Sequence, residues 1–426
     1  MDYSKLVIVF AVLYSVSGKE HEYQQSGRTF RSWSDISNGV SSLASFIWGV
    51  EYILNGKETN GDVMAQDAYL SIMELTRKYG YNMEQHKVIT EDGYILTVHR
   101  LQGRNSTRNG KVVFLMHGII ESSDSWVLQG PNKALGYILA DNGYDVWMGN
   151  ARGNKHAMSH KELDAKNSDF WEFTWEEIGL YDLPAMIDHV LNVTGNERLY
   201  YVGHSQGTTS FFVMNSMKPE YNDKINIMFS LSPVAWMRNI KSPLVRKVSS
   251  YLSFLGYFLS NLKAKWPSMD FLNKFTAAAC NYAPNGCEKL LYMLEGNYHH
   301  INSSLLPVIL GHMPTGASAA QFVHFGQLVN SGRFSRFDFG EEINMMEYGL
   351  LSPPDYDVTK ITVPVEIFYS DNDMLSAEAN VDILKEKLPY VFGYNFLKGF
   401  THLDFLYAYN AKDKIYDKIL RRINEN

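Results

Sequence analysis

A serine lies between two glycines in Gly203-His204-Ser205-Gln206-Gly207, directly after an apolar and aromatic run at residues 199–202. A strand that ends at Gly-x-Ser-x-Gly must turn sharply into a helix, and the turn holds the serine side chain above the sheet. Strand and helix then pass so close that a Cβ atom on either glycine would collide. Because short motifs of this kind also occur by chance, Ser205 is a nucleophile only if the chain supplies a base, an acid and an oxyanion hole.

The base is expected near the end of the chain, because a triad built on this motif follows the order serine, acid, histidine. His402 meets this requirement, since it lies in a loop just after a predicted strand at residues 394–397. Such a loop belongs to the carboxyl edge of an open α/β sheet, where ligands bind. The chain has 13 histidines, and the others are less well placed for this role.

The acid should follow the preceding strand, predicted at residues 364–369. Asp371 and Asp373 both qualify by position, and the residues alone do not choose between them. A carboxylate is needed there to hold the imidazole in the correct tautomer and to stabilise its protonated form.

The oxyanion hole requires backbone N–H groups that point at the developing negative charge. Gln206 supplies one of them, because it follows the nucleophile at the start of a helix, where the helix dipole also helps. The second is predicted from Ile119, in the segment His117-Gly118-Ile119-Ile120 that follows a strand at residues 111–116. That segment can also be a simple loop, but its place in the chain is where such a hole is built.

Strands alternate with helices over most of the chain, which indicates an α/β fold with a doubly wound, mostly parallel sheet. The predicted strands cover residues 86–90, 94–101, 111–116, 144–148, 199–202, 225–231, 364–369 and 394–397, and the predicted helices cover 68–79, 131–142, 176–193 and 208–217. The alternation stops at residues 237–355, so we expect an inserted, mainly helical cap between core segments 67–236 and 356–426. An apolar cap would bind an apolar substrate and exclude water. The alternative is a helical subdomain that packs its own core.

Residues 1–18 have the pattern of a signal peptide, with a short lysine-bearing start, an apolar stretch and small residues before residue 19. Residues 19–66 form an N-terminal extension or a removable prosegment. Secretion or delivery to the lysosomal lumen is therefore expected, and Cys280 and Cys287 are expected to bond to each other in an oxidising compartment. In the same compartment the three sequons predict glycans on Asn105, Asn192 and Asn302.

Several classes of partner are disfavoured by composition. A net charge of −7 and the lack of any basic run argue against nucleic acid. After the signal peptide, no stretch is long enough for a transmembrane segment. His156 and His160 are four residues apart, but without a His-Glu-x-x-His motif they do not predict a metal site, and no glycine-rich phosphate loop follows a strand. No cofactor is expected.

These motifs together resemble the acid lipases, and the resemblance covers the chain from about Asp67 to the C-terminus. The residues that carry it are Thr90-Glu91-Asp92-Gly93-Tyr94-Ile95-Leu96, His117-Gly118-Ile119-Ile120, Gly149-Asn150-Ala151-Arg152-Gly153-Asn154, Tyr181-Asp182-Leu183-Pro184-Ala185, the Ser205 motif and Thr401-His402-Leu403-Asp404-Phe405. Several independent motifs in the right order are far more specific than one Gly-x-Ser-x-Gly.

The resemblance implies an α/β-hydrolase fold with a helical cap, acting on long-chain fatty acid esters, triacylglycerol or sterol esters, at a lipid–water interface. It implies Ser205 as the nucleophile and His402 as the base. It favours Asp373 over Asp371, because the family's acid stands in an Asp-x-Leu segment, matched here by Asp373-Met374-Leu375. It also supports the pairing of Cys280 with Cys287.

Two other functions stay open from the sequence. One is a non-catalytic lipid-binding or storage protein on a lipase fold, although such proteins usually lose the nucleophile or the base. The other is an esterase for smaller, soluble esters, against which the apolar cap argues.

Overall fold

The structure is a computed structural model of the 426-residue chain. It describes residues 66–104, 109–243, 245–247, 249, 265–266, 273–274, 276–278, 280 and 300–426. The predicted signal peptide, nearly all of the predicted extension at 19–66, the sequon at Asn105 and the second cysteine, Cys287, lie outside the described residues.

The described strands fall into a large sheet and a two-stranded one. They are β1 (Asn82–Ile89), β2 (Tyr94–Gln102), β3 (Val112–Met116), β4 (Asp145–Met148), β5 (Ser159–His160), β6 (Leu199–His204), β7 (Ile225–Leu231), β8 (Lys265–Trp266), β9 (Ala317–Ser318), β10 (Val365–Tyr369) and β11 (Val391–Phe396). The large sheet has the order β1-β2-β4-β3-β6-β7-β10-β11, with β5 beside β2. All pairs from β4 to β11 are parallel, whereas β1, β2 and β5 are joined antiparallel. The predicted mostly parallel sheet is therefore confirmed.

Helices cover both faces of this sheet. They are α1 (Ile72–Lys78), α2 (Leu135–Asp141), α3 (Trp175–Glu177), α4 (Leu183–Thr194), α5 (Gln206–Met217), α6 (Leu306–His312), α7 (Ala319–Ser331), α8 (Glu341–Tyr348), α9 (Glu378–Lys387), α10 (Asp404–Tyr407) and α11 (Asp417–Glu425).

Strand β3 shows how the sequence builds two cores. All five of its residues are buried. Since successive side chains of a strand point to opposite faces, Phe114 packs with α4 and α5 on one face, while Val113 and Leu115 pack with α2 and α11 on the other. A continuous apolar run is what a parallel strand covered on both faces requires.

Most predicted elements are present with ends shifted by a few residues, as for β1, α1 and α2, and two differ in a way that has a physical reason. The helix predicted at 176–193 is α3, a π-helical turn at Ile178–Asp182 and then α4. A Cβ on Gly179 in that turn would lie 2.8 Å from the Ser210 carbonyl oxygen, so the turn is pressed against α5. The strand predicted at 394–397 is β11, which begins at Val391, and its residues are only partly buried, which weakened the apolar signal.

The interval between β7 and β10 contains α6, α7, α8 and the antiparallel pair β8 and β9. Two of these described helices pack into the cores on the faces of the large sheet. Leu306 and Ile309 of α6 join the core on the α2 face, and Leu328 of α7 joins the core on the α5 face. Among the described helices, none is both long and apolar enough to cross a bilayer.

Candidate active site

Ser205 lies at the sharp turn between β6 and α5, with φ +51° and ψ −120°. A non-glycine residue at such angles is strained, and the surrounding packing must hold it there. A Cβ on Gly203 would lie 2.9 Å from the Gly207 carbonyl oxygen, and a Cβ on Gly207 would overlap the Met116 carbonyl oxygen. The two glycines therefore allow β6, α5 and the end of β3 to approach each other as closely as the turn demands.

Three predicted residues from distant parts of the chain meet at this turn. The Nε2 atom of His402 is 2.7 Å from the Oγ atom of Ser205. The Nδ1 atom of His402 is 3.1 Å and 3.0 Å from the two carboxylate oxygens of Asp373. Ser205 and His402 are 8% and 4% exposed, and Asp373 is fully buried. An alcohol, an imidazole and a carboxylate are thus aligned in the order that a nucleophilic triad requires.

The surroundings of Asp373 keep its carboxylate charged. The backbone N–H groups of Leu375 and Ser376 donate to Oδ1 at 2.9 Å and 2.8 Å. Burial opposes ionisation, but the facing His402 ring and the hydrogen bonds from His402, Ser232 and Ser376 outweigh it. The pKa of the Asp373 carboxyl is therefore lowered, and the group can hold the His402 Nδ1–H in place.

The other positional choice for the acid, Asp371, is not near His402 in this network. Its carboxylate accepts the Gly399 N–H at 2.7 Å and so shapes the turn after β11. Asp404 has a similar local role, because its carboxylate accepts the Thr401 N–H at 2.7 Å and fixes the loop that presents His402.

Ser232 is a site residue that the sequence reasoning missed. Its hydroxyl donates to Asp373 and lies 2.7 Å from the His402 Nδ1 atom. Like Ser205, it has an unusual backbone angle, with φ +51°. It follows β7 directly at the same sheet edge, but no motif or periodic pattern in the sequence marks this position.

The loop after β3 lies directly against Ser205. A Cβ on Gly118 would be 3.1 Å from the Ser205 Cβ atom. The next N–H, of Ile119, has no hydrogen-bond acceptor within the part of the chain that the structure describes. The N–H of Gln206 belongs to the first turn of α5, where helix N–H groups have no partner within the helix.

A residue from the segment between β7 and β10 fixes the shape of the loop after β3. Ile120 has φ +56°, an outlier for a β-branched residue. Thr315, which is fully buried, donates its N–H to the Ile120 carbonyl at 2.9 Å and its hydroxyl to the Glu121 carbonyl at 2.5 Å. The strained loop is thus fixed by a residue from the segment between α6 and β9.

His117 has a structural role within the same loop. Its Nδ1–H donates to the Gly118 carbonyl at 2.7 Å, and its Nε2 accepts the Ala151 N–H at 3.1 Å. Burial lowers the pKa of this ring, which agrees with one nitrogen donating and the other accepting.

Three of the sequence motifs meet in one buried ion-pair cluster below the site. The Arg152 guanidinium binds Asp92 at 2.5 Å and 2.9 Å and Asp182 at 2.8 Å. Burial opposes the charge of Asp92, but Arg152 lowers the pKa of that carboxyl below its usual value. The Arg152 side chain is 1% exposed. The cluster joins the turn between β1 and β2, the loop after β4 and the π-helical turn before α4.

The remaining predicted positions lie away from the triad. Asn192 and Asn302 are exposed, whereas Cys280 is buried. The two histidines four residues apart have separate partners, because His156 contacts Asp124 at 2.7 Å and His160 contacts the Asp92 carbonyl at 2.8 Å.

The chain is similar to known lipases and α/β-hydrolases. The family described as a partial α/β-hydrolase lipase region matches residues 72–130, and the α/β-hydrolase fold family matches residues 111–278. Lipase 1 of Drosophila melanogaster is 42% identical over 362 residues, which are 84% of this chain and 80% of that protein. Human gastric triacylglycerol lipase is 36% identical over 396 residues, which are 91% of this chain and 98% of that protein.

A solved structure from Sulfolobus solfataricus has the same fold at low sequence similarity. It superimposes with a TM-score of 0.56 at 17% identity and covers 81% of this chain and 95% of that one.

Proposed function

The chain belongs to the acid lipase family of α/β-hydrolases, and we propose that Ser205, His402 and Asp373 carry out its ester hydrolysis through an acyl-enzyme intermediate. The observation that carries the proposal is the continuous contact from the Ser205 hydroxyl through the His402 ring to the Asp373 carboxylate.

In the first half of the reaction the Ser205 Oγ attacks the ester carbonyl carbon while the His402 Nε2 accepts its proton. The Asp373 carboxylate keeps the proton of the ring on Nδ1 and stabilises the imidazolium that forms. The imidazolium then protonates the leaving alcohol, and the fatty acyl group stays on Ser205. In the second half a water molecule attacks the acyl carbon while His402 accepts its proton. The bond from Ser205 Oγ to the acyl carbon then breaks, Oγ receives the proton from His402, and the fatty acid leaves.

The N–H groups of Ile119 and Gln206 stabilise the oxyanion of each tetrahedral intermediate. The contact of the Gly118 region with Ser205 and the position of Gln206 at the start of α5 support this role. Such preorganised donors are worth a factor of about 10² to 10³ in turnover each.

The substrates are esters of long-chain fatty acids, triacylglycerol and sterol esters, taken from a lipid–water interface. The names of the gastric triacylglycerol lipases among the relatives support triacylglycerol. The segment 237–355 acts as the cap that covers the site, and the contacts of Thr315 with the loop at Ile120 support this division. An esterase for smaller esters is the second candidate. A non-catalytic lipid carrier is disfavoured, because lipid binding alone does not require a serine, a histidine and an aspartate in contact.

We further propose that the chain is secreted or enters the lysosomal lumen after removal of residues 1–18. Exposed side chains at Asn192 and Asn302 suit glycosylation, as does the predicted sequon at Asn105. The pairing of Cys280 with Cys287 belongs to the same oxidising compartment.

A fluorophosphonate probe and a panel of esters test the catalytic proposal. The probe should label the native protein at Ser205, and the S205A variant should be unlabelled and inactive on emulsified triacylglycerol and on p-nitrophenyl esters. An S205A variant that still hydrolyses either ester would overturn the proposal. Chain-length preference, measured from butyrate to oleate esters, decides between lipase substrates and smaller esters.

A further inference from the structure

A second histidine and a carboxylate lie behind the triad without any role in the reaction described above. His204 is the last residue of β6. Glu121 follows residues 117–120 after β3, which we call the oxyanion loop. Both side chains are buried, with exposures of 0% and 3%. The His204 Nδ1 atom is 3.3 Å and 3.4 Å from the two Glu121 carboxylate oxygens.

The hydrogen-bond partners fix where the protons are. The His204 Nε2 faces the backbone carbonyl of His402 at 3.0 Å, and since a carbonyl can only accept, this nitrogen carries a proton. The His204 Nδ1 faces the Glu121 carboxylate. If neither group carried a proton, two hydrogen-bond acceptors would face each other without a donor. A second proton therefore lies between His204 and Glu121.

That proton resides on the ring. Burial opposes charge on both groups, but the Glu121 carboxylate raises the pKa of His204 above its usual value. In turn the His204 ring and the Gly118 N–H lower the pKa of Glu121. The pair is a buried imidazolium and carboxylate, in which each charge compensates the other.

Each member of the pair also holds a different catalytic segment. Glu121 accepts the Gly118 N–H at 2.8 Å, directly before the Ile119 N–H of the oxyanion loop. His204 adjoins Ser205 in the chain and donates to the carbonyl of His402, whose ring contacts Ser205. The oxyanion loop, the turn at Ser205 and the loop that carries His402 are thus connected through two side chains.

We propose that Glu121 and His204 are positioning residues, which hold the oxyanion loop and the His402 loop in register with Ser205. The inference rests on the proposed function of Ser205 and His402. A displacement of about 1 Å at a reacting group can cost a factor of about 10² in rate, so loss of this connection should reduce turnover rather than substrate binding.

The test compares E121A, E121Q and a control variant on soluble p-nitrophenyl butyrate. E121A should lower kcat by about 10- to 100-fold while KM changes by less than about threefold. E121Q should recover kcat to within about fivefold of the native enzyme, because an amide can accept the Gly118 N–H and donate to a neutral His204.

Glu176 supplies the matched control, since it is a buried carboxylate bound to Arg336 at 2.7 Å and to the Tyr356 hydroxyl, away from the triad. E176A should lose stability but keep its kcat. A general effect of losing a buried carboxylate would lower kcat in both alanine variants alike and would overturn the proposal.

Two further results would overturn it. One is an E121A variant with kcat within about twofold of the native enzyme, and the other is an E121Q variant no better than E121A. If E121A lacks a cooperative thermal transition, E121M, which keeps the side-chain volume, is judged by the same criteria. Failure of the proposed function is distinguishable, because it appears as an active S205A variant, whereas failure here is an active E121A beside an inactive S205A.

Discussion

The Nε2 atom of His402 lies 2.7 Å from the Oγ atom of Ser205, although 197 residues separate them in the chain. The contact forms because β6 and β11 run parallel in one sheet, so that the loops after both strands emerge at the same edge. Four predictions follow from the network around this contact and from the core below it.

Replacing Asp373 by asparagine should abolish most of the activity without unfolding the protein. An amide of the same shape no longer stabilises the His402 imidazolium and favours the wrong tautomer, so kcat on p-nitrophenyl butyrate should fall by about 10³- to 10⁴-fold. D371N is the comparison, and because the Asp371 carboxylate binds the Gly399 N–H and the Ser370 hydroxyl rather than His402, its kcat should fall by less than about tenfold. Equal losses in the two variants would contradict the choice of Asp373.

Removing the Ser232 hydroxyl should weaken catalysis moderately. The hydroxyl contacts both Asp373 and the His402 Nδ1, so S232A should lower kcat by about three- to tenfold with KM unchanged. Ser230, in the strand β7 that Ser232 follows, is a matched control, since its hydroxyl is buried and has no hydrogen-bond partner within the described residues. S230A should therefore match the native enzyme in steady-state kinetics, and an S232A enzyme equal to it would show that the contact is unimportant.

His324 should make the protein sensitive to acid. It is buried against Trp175, with ring centroids 3.7 Å apart, and burial lowers its pKa from 6.5 to about 3. Between pH 6.5 and about pH 3 the His324 ring binds a proton in the unfolded chain but not in the folded protein. The neutral ring therefore contributes its full stability above pH 6.5, and this contribution is lost as the pH falls.

The variant H324F tests this linkage. At pH 7 it should be less stable than the native protein by about 1 kcal/mol, because the hydrogen bond from Nε2 to the Ser335 carbonyl is lost. Between pH 7 and pH 4 the free energy of unfolding of the native protein should fall by up to about 3 kcal/mol through His324, and H324F should not show this part of the fall. Urea unfolding at both pH values measures the difference, and a parallel decline of both proteins would refute the assignment.

Arg152 should be required for stability rather than for chemistry. R152M leaves the buried carboxylate of Asp182 without its cation and removes the partner of the more exposed Asp92, so the free energy of unfolding should fall by about 3–5 kcal/mol. R152K should restore only part of it, because an ammonium cannot bind two carboxylates through a planar fork. Chemical denaturation measures both variants, and full restoration by lysine would rule out the geometric argument.

The parts of the site that sequence could predict are those fixed by chain order. Ser205 and His402 were found because a glycine motif and a final strand mark their positions. Position alone could not separate Asp371 from Asp373, since both follow β10, and the turn at Gly399 decides which carboxylate points away from the ring.

Ser232 and Glu121 show why the rest was not predictable. Their partners are remote in the chain, with Ser232 170 residues from His402 and Glu121 83 residues from His204. A single serine after a strand or a glutamate in a loop has no periodicity to distinguish it from a solvated residue. The same limit applies to β11, whose half-buried residues carry little hydrophobic pattern.

The two hydrogen bonds from Thr315 to the backbone at Ile120 and Glu121 connect the segment between β7 and β10 to the backbone beside the proposed oxyanion donor, Ile119. Swapping this segment for that of a relative would change turnover even for acetate esters too short to touch it. We therefore expect changes in this segment to alter turnover as well as substrate preference.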